Sequence, residues 1–187
     1  MEKLGAIILS GGKSSRFGTD KGMFHFQNKP LVEYSLATAK KFTNEIVIMS
    51  SDIKYMEFGY PTFPDIYPDA GPMGGIHAGL ANSKYDCNIV LACDTPFIDV
   101  SLVDLLINNY NNEDVLLYET ADSRVHPLLG IYHRRLIKKL EDSLNKRKHK
   151  LIQFILSTNH KIIRLEEQEM IKKFSNFNDQ AALLRNR

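Results

Sequence analysis

Residues 6–21 read AIILSGGKSSRFGTDK, which joins an apolar run to a loop rich in glycine and positive charge. The run of four apolar residues is typical of a buried strand in a parallel sheet. The pair Gly11-Gly12 lies just beyond it, and because glycine has no Cβ, the backbone can turn tightly and bring its amides close to an anion. Arg16 and Lys21 add a planar guanidinium and a compact ammonium, the cations that suit phosphate oxygens. The stretch therefore predicts a strand that ends in a polyphosphate-binding loop.

Neither of the two common phosphate-binding loops fits this spacing. A P-loop requires a glycine five positions before Gly12, where this chain has Ile7. The dinucleotide-binding fingerprint requires its later glycines where Lys13 and Arg16 stand. An ordinary glycine turn followed by a solvated basic loop remains the alternative interpretation, because short motifs also match by chance.

Composition places the chain among ordinary globular proteins. Its 187 residues are 43% hydrophobic and 25% charged, which favours one domain with a sizeable core. The net charge of +2 gives no sign of a nucleic-acid partner, and without a run of 18 apolar residues the sequence predicts no membrane partner. Cys87 and Cys93 match no zinc spacing and are too few for a disulfide framework. We therefore expect a soluble, cytoplasmic protein with reduced thiols.

Apolar periodicity divides the rest of the chain into alternating strands and helices. Ser101 with Asp104 is the predicted N-cap of one helix. The alternation indicates an α/β fold of three layers, in which helices cover both faces of a mostly parallel sheet. Strands are predicted at residues 45–49, 88–92, 115–118, 126–132 and 162–163, and helices at 31–42, 101–107, 136–144, 151–156 and 180–185. Residues 71–80 are predicted to be a loop that enters a short helix.

Asp94 is the most informative acidic residue. It follows the predicted strand at 88–92, and Pro96 prevents that strand from simply continuing. Ligands of open α/β sheets bind beyond the carboxyl ends of the strands, so Asp94 and the loop at 10–21 are expected to face one crevice. A carboxylate there suits Mg²⁺, which takes one or two carboxylates together with substrate phosphates. An aspartate that merely caps the turn is the alternative.

Four further short motifs occur along the chain in addition to the glycine loop. They read GPMGGI at 71–76, CDTP at 93–96, HPLLGIY at 126–132 and FSNFN at 174–178. Together with residues 9–21 they resemble the nucleotidyltransferases that activate cofactors and sugars. The resemblance is closest to the molybdenum cofactor guanylyltransferases, the family of molybdopterin-guanine dinucleotide biosynthesis protein A. The matches keep their order over almost the whole chain, which makes the set far more specific than any one motif.

The resemblance implies a fold and a reaction. The fold is a Rossmann-like sheet of the nucleotide-diphospho-sugar transferase type, in one domain over residues 1–187. Its nucleotide-binding half covers roughly residues 1–100 and its acceptor-binding half roughly residues 101–187. The reaction transfers GMP from GTP to the terminal phosphate of molybdenum-molybdopterin and releases pyrophosphate. The alternatives are a related cytidylyltransferase, another nucleotidyltransferase with a different phosphorylated acceptor, and a nucleotide-binding paralogue without catalysis.

The resemblance also implies roles for individual residues. Arg16, Lys21 and Asp94 are the expected catalytic residues, and Asp94 is the expected Mg²⁺ ligand. Asn176 and Asn178 are the expected molybdopterin contacts. The expected GTP contacts are Leu9, Ser10, Gly11, Gly12, Arg16, Lys21, Asp65 and Asp94, with Asp69 as the competitor of Asp65.

The chain departs from the family pattern at Ser10, where alanine is commoner, and in two further places. Residues 50–52 read Ser-Ser-Asp where many relatives have an asparagine near the base, and Asp179-Gln180 replaces the usual Thr-Pro. The implied partners are GTP and molybdenum-molybdopterin. Other molybdenum cofactor biosynthesis proteins, and apo-molybdoenzymes or their chaperones, are further candidates.

Two features allow either a functional or an ordinary interpretation. His126 precedes a proline and either lines an acceptor pocket or bonds to the backbone of its loop. The basic clusters at 134–139 and 146–150 are either solvated helix surfaces or docking sites for a pterin phosphate or an acidic partner.

Overall fold

The computed structural model describes residues 3–10 and 20–175. The strands are β1 (Leu4–Leu9), β2 (His25–Phe26), β3 (Lys29–Pro30), β4 (Ile46–Met49), β5 (Thr62–Phe63), β6 (Cys87–Ala92), β7 (Val115–Thr120), β8 (Val125–His133) and β9 (His160–Leu165). The α-helices are α1 (Leu31–Ala39), α2 (Pro72–Asn82), α3 (Val100–Asn109), α4 (Ile137–Asn145), α5 (Leu151–Leu156) and α6 (Gln168–Lys172). Short 3₁₀ helices cover Lys21–Met23, Ile53–Phe58 and Arg134–Leu136.

One sheet of seven strands organises the fold, in the order β5-β4-β1-β6-β8-β7-β9. β1 lies between β4 and β6 and pairs parallel with both. β8 pairs antiparallel with its neighbours β6 and β7, whereas β4 with β5 and β7 with β9 are parallel pairs. β2 and β3 form a separate antiparallel ribbon. The prediction of a mostly parallel sheet is therefore confirmed.

Alternate residues of β1 pack on opposite faces of the sheet. Ile8 belongs to a core cluster with Leu36 of α1 and Leu106 of α3. Ile7 belongs to a second cluster with Ile76 of α2 and with residues of α4 and α5. Both isoleucines are fully buried, and each such side chain contributes about 1.5–3 kcal/mol to folding. The helices therefore form two outer layers, as predicted, and none of those in the described ranges is long and apolar enough to cross a membrane.

Helix α2 lies unusually close to β1 because glycines line the contact. A Cβ at Gly79 would collide with the side chain of Ile7, and one at Gly75 would lie 3.0 Å from Leu9 Cδ2. The helix begins at Pro72, directly after Gly71, whose φ of 59° favours glycine. This close packing brings the first turn of α2 to the end of β1, where the glycine loop begins.

Most predicted elements are confirmed, with corrections at their ends. The predicted helix at 31–42 ends at Ala39, and the predicted cap of α3 was wrong: Asp99, not Ser101 with Asp104, caps this helix by accepting from Ser101 N at 3.1 Å. The antiparallel direction of β8 and the helix α6 were not foreseen. The predicted helix at 180–185 lies outside the described residues.

Candidate active site

Lys21 and Asp94 meet at the carboxyl edge of the sheet. Lys21 Nζ lies 2.6 Å from Asp94 Oδ2, and the two side chains are 18% and 25% exposed. Asp94 stands two residues beyond the end of β6, and Cys93 N continues the pairing by donating to Leu9 O at 3.1 Å. The ends of β1 and β6 are thus held side by side, and the structure brings together the cation and the carboxylate that the sequence placed on one crevice.

Asp20 and Tyr55 hold the turn that presents Lys21. The 3₁₀ helix Lys21–Met23 begins at Asp20, whose Oδ1 accepts a hydrogen bond from Gly22 N at 2.9 Å. The hydroxyl of Tyr55 donates to the same oxygen. Sequence reasoning missed both residues. Asp20 stands beside Lys21 in the quoted motif, but Tyr55 lies in a segment without periodicity and gave no signal.

Leu9 ends β1 at this same edge, Ser10 follows it directly, and both residues are buried. Ser10 N donates to Met49 O at 3.0 Å, which extends the pairing of β1 with β4. Among the other predicted site residues, Gly11, Gly12, Arg16, Asn176 and Asn178 lie outside the described residues.

Asp65 lies against the first turn of α2. A Cβ at Gly74 would be 3.4 Å from Asp65 Oδ2, and one at Gly75 would be 3.5 Å from Asp65 Oδ1. Desolvation of the carboxyl raises its pKa, although the residue as a whole remains exposed. Because Gly75 also contacts Leu9, Asp65 belongs to the edge where β1 ends. Asp69 is exposed on a left-handed turn, with φ of 60°.

Residues 50–52, where the resemblance implies an asparagine, form a capped turn. Ser50 Oγ accepts from Asp52 N at 3.1 Å, and Asp52 Oδ1 accepts from Lys54 N at 3.0 Å. Asp52 is therefore the N-cap of the 3₁₀ helix Ile53–Phe58. Tyr55 lies on this helix, so the turn after β4 is connected to the Lys21 turn through Asp20.

A cavity of about 170 Å³ opens beside Asp94, between the end of β6 and the start of β8. Arg124, His126 and Phe174 also line it. The wall on the β8 side is shaped by a β-bulge, because Tyr118 pairs with His126 while Leu117 pairs with Gly130. The residues between His126 and Gly130 include Pro127, which has no N–H to donate to a neighbouring strand. The bulge therefore accommodates the proline in a segment that lines the same cavity as Asp94.

His126 is held as a neutral imidazole. Its Nε2 lies 3.0 Å from Thr120 Oγ1, which donates to Asp122 Oδ1 at 2.6 Å. Because the threonine proton is engaged by the carboxylate, Nε2 carries the proton that it donates to Thr120. Burial, with a smaller contribution from Arg124, lowers the pKa of His126 to about 4. Of the two interpretations of this histidine, the structure supports pocket lining, with a side-chain rather than a backbone partner.

Asp94 also fits the chemistry of a magnesium site. Within residues 3–10 and 20–175, no three His, Cys, Asp or Glu side chains cluster as a metal centre. A lone carboxylate beside a cavity is the arrangement in which Mg²⁺ takes its remaining ligands from phosphates and water. The residues present are therefore compatible with a metal that arrives with a nucleotide.

The two basic clusters differ in their partners. Arg135 and Lys139 both contact Asp114, at 2.8 and 3.6 Å, which agrees with a solvated ion-pair network. Residues 147–150 instead line a cavity of about 520 Å³, and within the described ranges their cations have no carboxylate partner.

Comparison with known proteins agrees with this geometry. Residues 6–162 match the family model described as "MobA-like NTP transferase domain". The molybdenum cofactor guanylyltransferase of Vibrio vulnificus is 36% identical over 151 residues, covering 78% of this chain and 76% of that protein. The enzyme of the same name from Haemophilus influenzae is 31% identical over 180 residues, covering 94% and 93%.

A solved structure shares the fold. Molybdopterin-guanine dinucleotide biosynthesis protein A from Archaeoglobus fulgidus superimposes with a TM-score of 0.79 at 23% identity. The match covers 96% of this chain and 95% of that chain.

Proposed function

The chain belongs to the family of MobA-like NTP transferase domains, and on that premise we propose that it transfers GMP from GTP to the terminal phosphate of molybdenum-molybdopterin. The bond formed joins the acceptor phosphate oxygen to the α-phosphorus of GTP, and the bond broken releases pyrophosphate. The product is molybdopterin guanine dinucleotide. The relatives' names supply the substrates, and the site supplies the chemistry that such a transfer needs.

The contact between Lys21 and Asp94 is the observation that carries this proposal. The two residues suit different parts of a nucleotide with its bound metal ion. The ammonium of Lys21 suits the phosphate oxygens, and the carboxylate of Asp94 suits a divalent cation. One bound nucleotide can therefore replace their mutual contact of 2.6 Å with a favourable contact for each. An ion pair that serves only stability would not need to lie where two parallel strands end.

Phosphoryl transfer requires positioning and charge neutralisation rather than covalent help from the protein. Lys21, with Arg16, neutralises negative charge on the triphosphate and on the departing pyrophosphate. Asp94 would hold Mg²⁺, which supplies electrostatic stabilisation of phosphate oxygens when bound. Leu9, Ser10, Gly11 and Gly12 place the triphosphate, and Asp65 contacts the nucleotide from the α2 side. An acceptor phosphate is already ionised at neutral pH, so no general base is required.

The cavity beside Asp94 is the proposed entrance for the acceptor. Arg124 offers a guanidinium to the acceptor phosphate, and the neutral His126 offers hydrogen-bonding capacity without adding charge. Phe174, which lines the same cavity, is followed closely by Asn176 and Asn178, the proposed molybdopterin contacts. The N-terminal half then holds the nucleotide, and residues from about 101 onward hold the acceptor.

Pyrophosphate release measured in parallel with GTP and CTP, each with Mg²⁺ and molybdenum-molybdopterin, tests the proposal. We expect release with GTP, and release that depends on the acceptor. A clear preference for CTP would replace the proposal with a cytidylyltransferase. Nucleotide binding without any pyrophosphate release would indicate a non-catalytic paralogue.

A further inference from the structure

Tyr55 is a completely buried tyrosine whose hydroxyl contacts a charged side chain. Its side chain is 0% exposed, and the hydroxyl donates to Asp20 Oδ1. Burial first, and then the hydrogen bond with Asp20, raises the pKa of Tyr55, so the hydroxyl keeps its proton and acts as a donor at all physiological pH values. The two partners are 35 positions apart in the sequence, so this contact joins separate segments of the chain.

The same carboxylate fixes the backbone next to Lys21. Asp20 Oδ1 accepts from Gly22 N at 2.9 Å, and the turn is closed by Met23 N and Phe24 N, each 3.2 Å from a carbonyl of Asp20 or Lys21. Gly22 permits this packing, because a Cβ there would collide with the Tyr55 hydroxyl and lie 3.3 Å from Cys93 Sγ. The backbone at Lys21 is therefore held in place by the hydrogen bonds of the Asp20 carboxylate and of the turn, and by close packing against Tyr55.

The other fully buried tyrosines behave differently. The hydroxyls of Tyr118 and Tyr132 donate to the backbone carbonyls of Leu102 and Pro127, each at 2.6 Å. Those bonds satisfy a buried hydroxyl and anchor the core. The Tyr55 hydroxyl instead engages the residue that immediately precedes Lys21, the proposed triphosphate ligand.

We propose that Tyr55 and Asp20 are positioning residues, which hold the Lys21 ammonium opposite Asp94 and thereby set the affinity of the site for a nucleotide triphosphate. This inference rests on the proposed function, and specifically on its nucleotide-binding half. Without the Tyr55 hydroxyl, Asp20 loses one of the two donors that fix it, and the Lys21 turn samples orientations that do not reach the phosphates. Tyr55 then acts through Lys21 and not by touching the nucleotide.

A double-mutant cycle tests this dependence. Binding of magnesium GTP is measured by titration calorimetry for the parent, Tyr55→Phe, Lys21→Gln and the double variant, with magnesium CTP as a second probe. We expect about tenfold weaker GTP binding for Lys21→Gln, because its charge-assisted contact with the phosphates is lost, and for Tyr55→Phe, because Lys21 is no longer held in the orientation that makes this contact. In the Lys21→Gln background, Tyr55→Phe should add less than about twofold.

Tyr118→Phe is the matched control, since it removes an equally buried hydroxyl that donates to the backbone carbonyl of Leu102 and not to a residue beside Lys21. It should leave the affinity unchanged while lowering the unfolding temperature as much as Tyr55→Phe does. Asp20→Asn provides a second variant, expected to weaken binding in the parent and not in the Lys21→Gln background.

Additive losses in the cycle, or equal losses for Tyr55→Phe and Tyr118→Phe, would show that Tyr55 serves general stability and would overturn the inference alone. A parent protein that binds neither nucleotide would contradict the proposed function, and the inference with it. The two failures are therefore distinguishable.

Discussion

Strands β1 and β8 reach the candidate active site from opposite directions. β1 is parallel to β4 and β6, so its carboxyl end reaches the site, and most of the proposed triphosphate contacts follow this strand in the sequence. β8 is antiparallel to β6, so its beginning reaches the site, and His126, which lines the cavity, lies within the strand. His126 is the second residue of β8, and the segment HPLLGIY makes up residues 126–132 of this strand.

The difference shows how one edge of a sheet combines two kinds of binding surface. The backbone amides and cations that follow β1 in the sequence suit a polyphosphate, which has the same charge in many orientations. The bulged, hydrogen-bonded start of β8 forms a rigid wall, which suits a ring system with fixed donors and acceptors. Asp94 lies between the two and faces both. The following variants separate the nucleotide side from the acceptor side.

The largest effect is expected where the two sides meet. Asp94→Asn keeps the shape of the side chain and removes its charge, so we expect pyrophosphate release to fall by about 100-fold or more. Asp86→Asn is the matched control, because Asp86 immediately precedes β6 at the opposite edge of the sheet. Equal rates for Asp94→Asn and the parent would exclude a metal-binding role for this carboxylate.

Substitution of two glycines tests the close packing behind the site, Gly79 on the nucleotide side and Gly130 on the acceptor side. At Gly130 in β8, a Cβ would lie 2.6 Å from the backbone oxygen of Leu116, and at Gly79 in α2 it would strike the side chain of Ile7. We expect Gly130→Ala to lower the unfolding free energy by about 3 kcal/mol, because the paired backbone at Leu116 cannot move aside. Gly79→Ala should cost about 1 kcal/mol, because the better helix propensity of alanine offsets part of the overpacking.

Urea unfolding measures both glycine variants. In the Ile7→Ala background the loss caused by Gly79→Ala should largely disappear, since the atoms it strikes are gone. A Gly79→Ala loss larger than that of Gly130→Ala would contradict the expectation that the backbone of Leu116 yields less than the side chain of Ile7.

The same contrast explains how much could be predicted from the sequence. The meeting of Lys21 with Asp94 followed from two strand ends, because parallel strands present their carboxyl ends at one edge. The direction of β8 did not follow, since an apolar run reads the same for parallel and antiparallel pairing. Asp99 and Ser101 both have side chains that cap helices, and only the backbone geometry shows that Asp99 does. The contact of Tyr55 with Asp20 depends on tertiary packing between distant segments and has no local signal.

Arg124 provides a smaller effect confined to the acceptor side. We expect Arg124→Gln to raise the KM for the molybdopterin acceptor by about tenfold and to leave the KM for GTP unchanged, because one charge-assisted contact to the acceptor phosphate is lost. Lys148→Gln removes a positive charge from the remote basic loop and is the control. Should both KM values rise together in Arg124→Gln, the division into a nucleotide side and an acceptor side would not hold.

The smallest expected effect concerns the stability of the β8 wall in acid. Burial lowers the pKa of His126 to about 4, against about 6.5 in an unfolded chain. Between these values the unfolded chain binds a proton that the folded chain does not, so the stabilisation is present above pH 6.5 and is lost as the pH falls towards 4. His126→Gln, which stays neutral, should therefore lose about 1 kcal/mol less unfolding free energy than the parent between pH 7 and pH 4.5, a value reduced because the ring is only half-buried. Urea unfolding at several pH values measures this difference, with His149→Gln in the exposed basic loop as the control, and an identical pH dependence for His126→Gln and the parent would show that the imidazole is not held neutral by the fold.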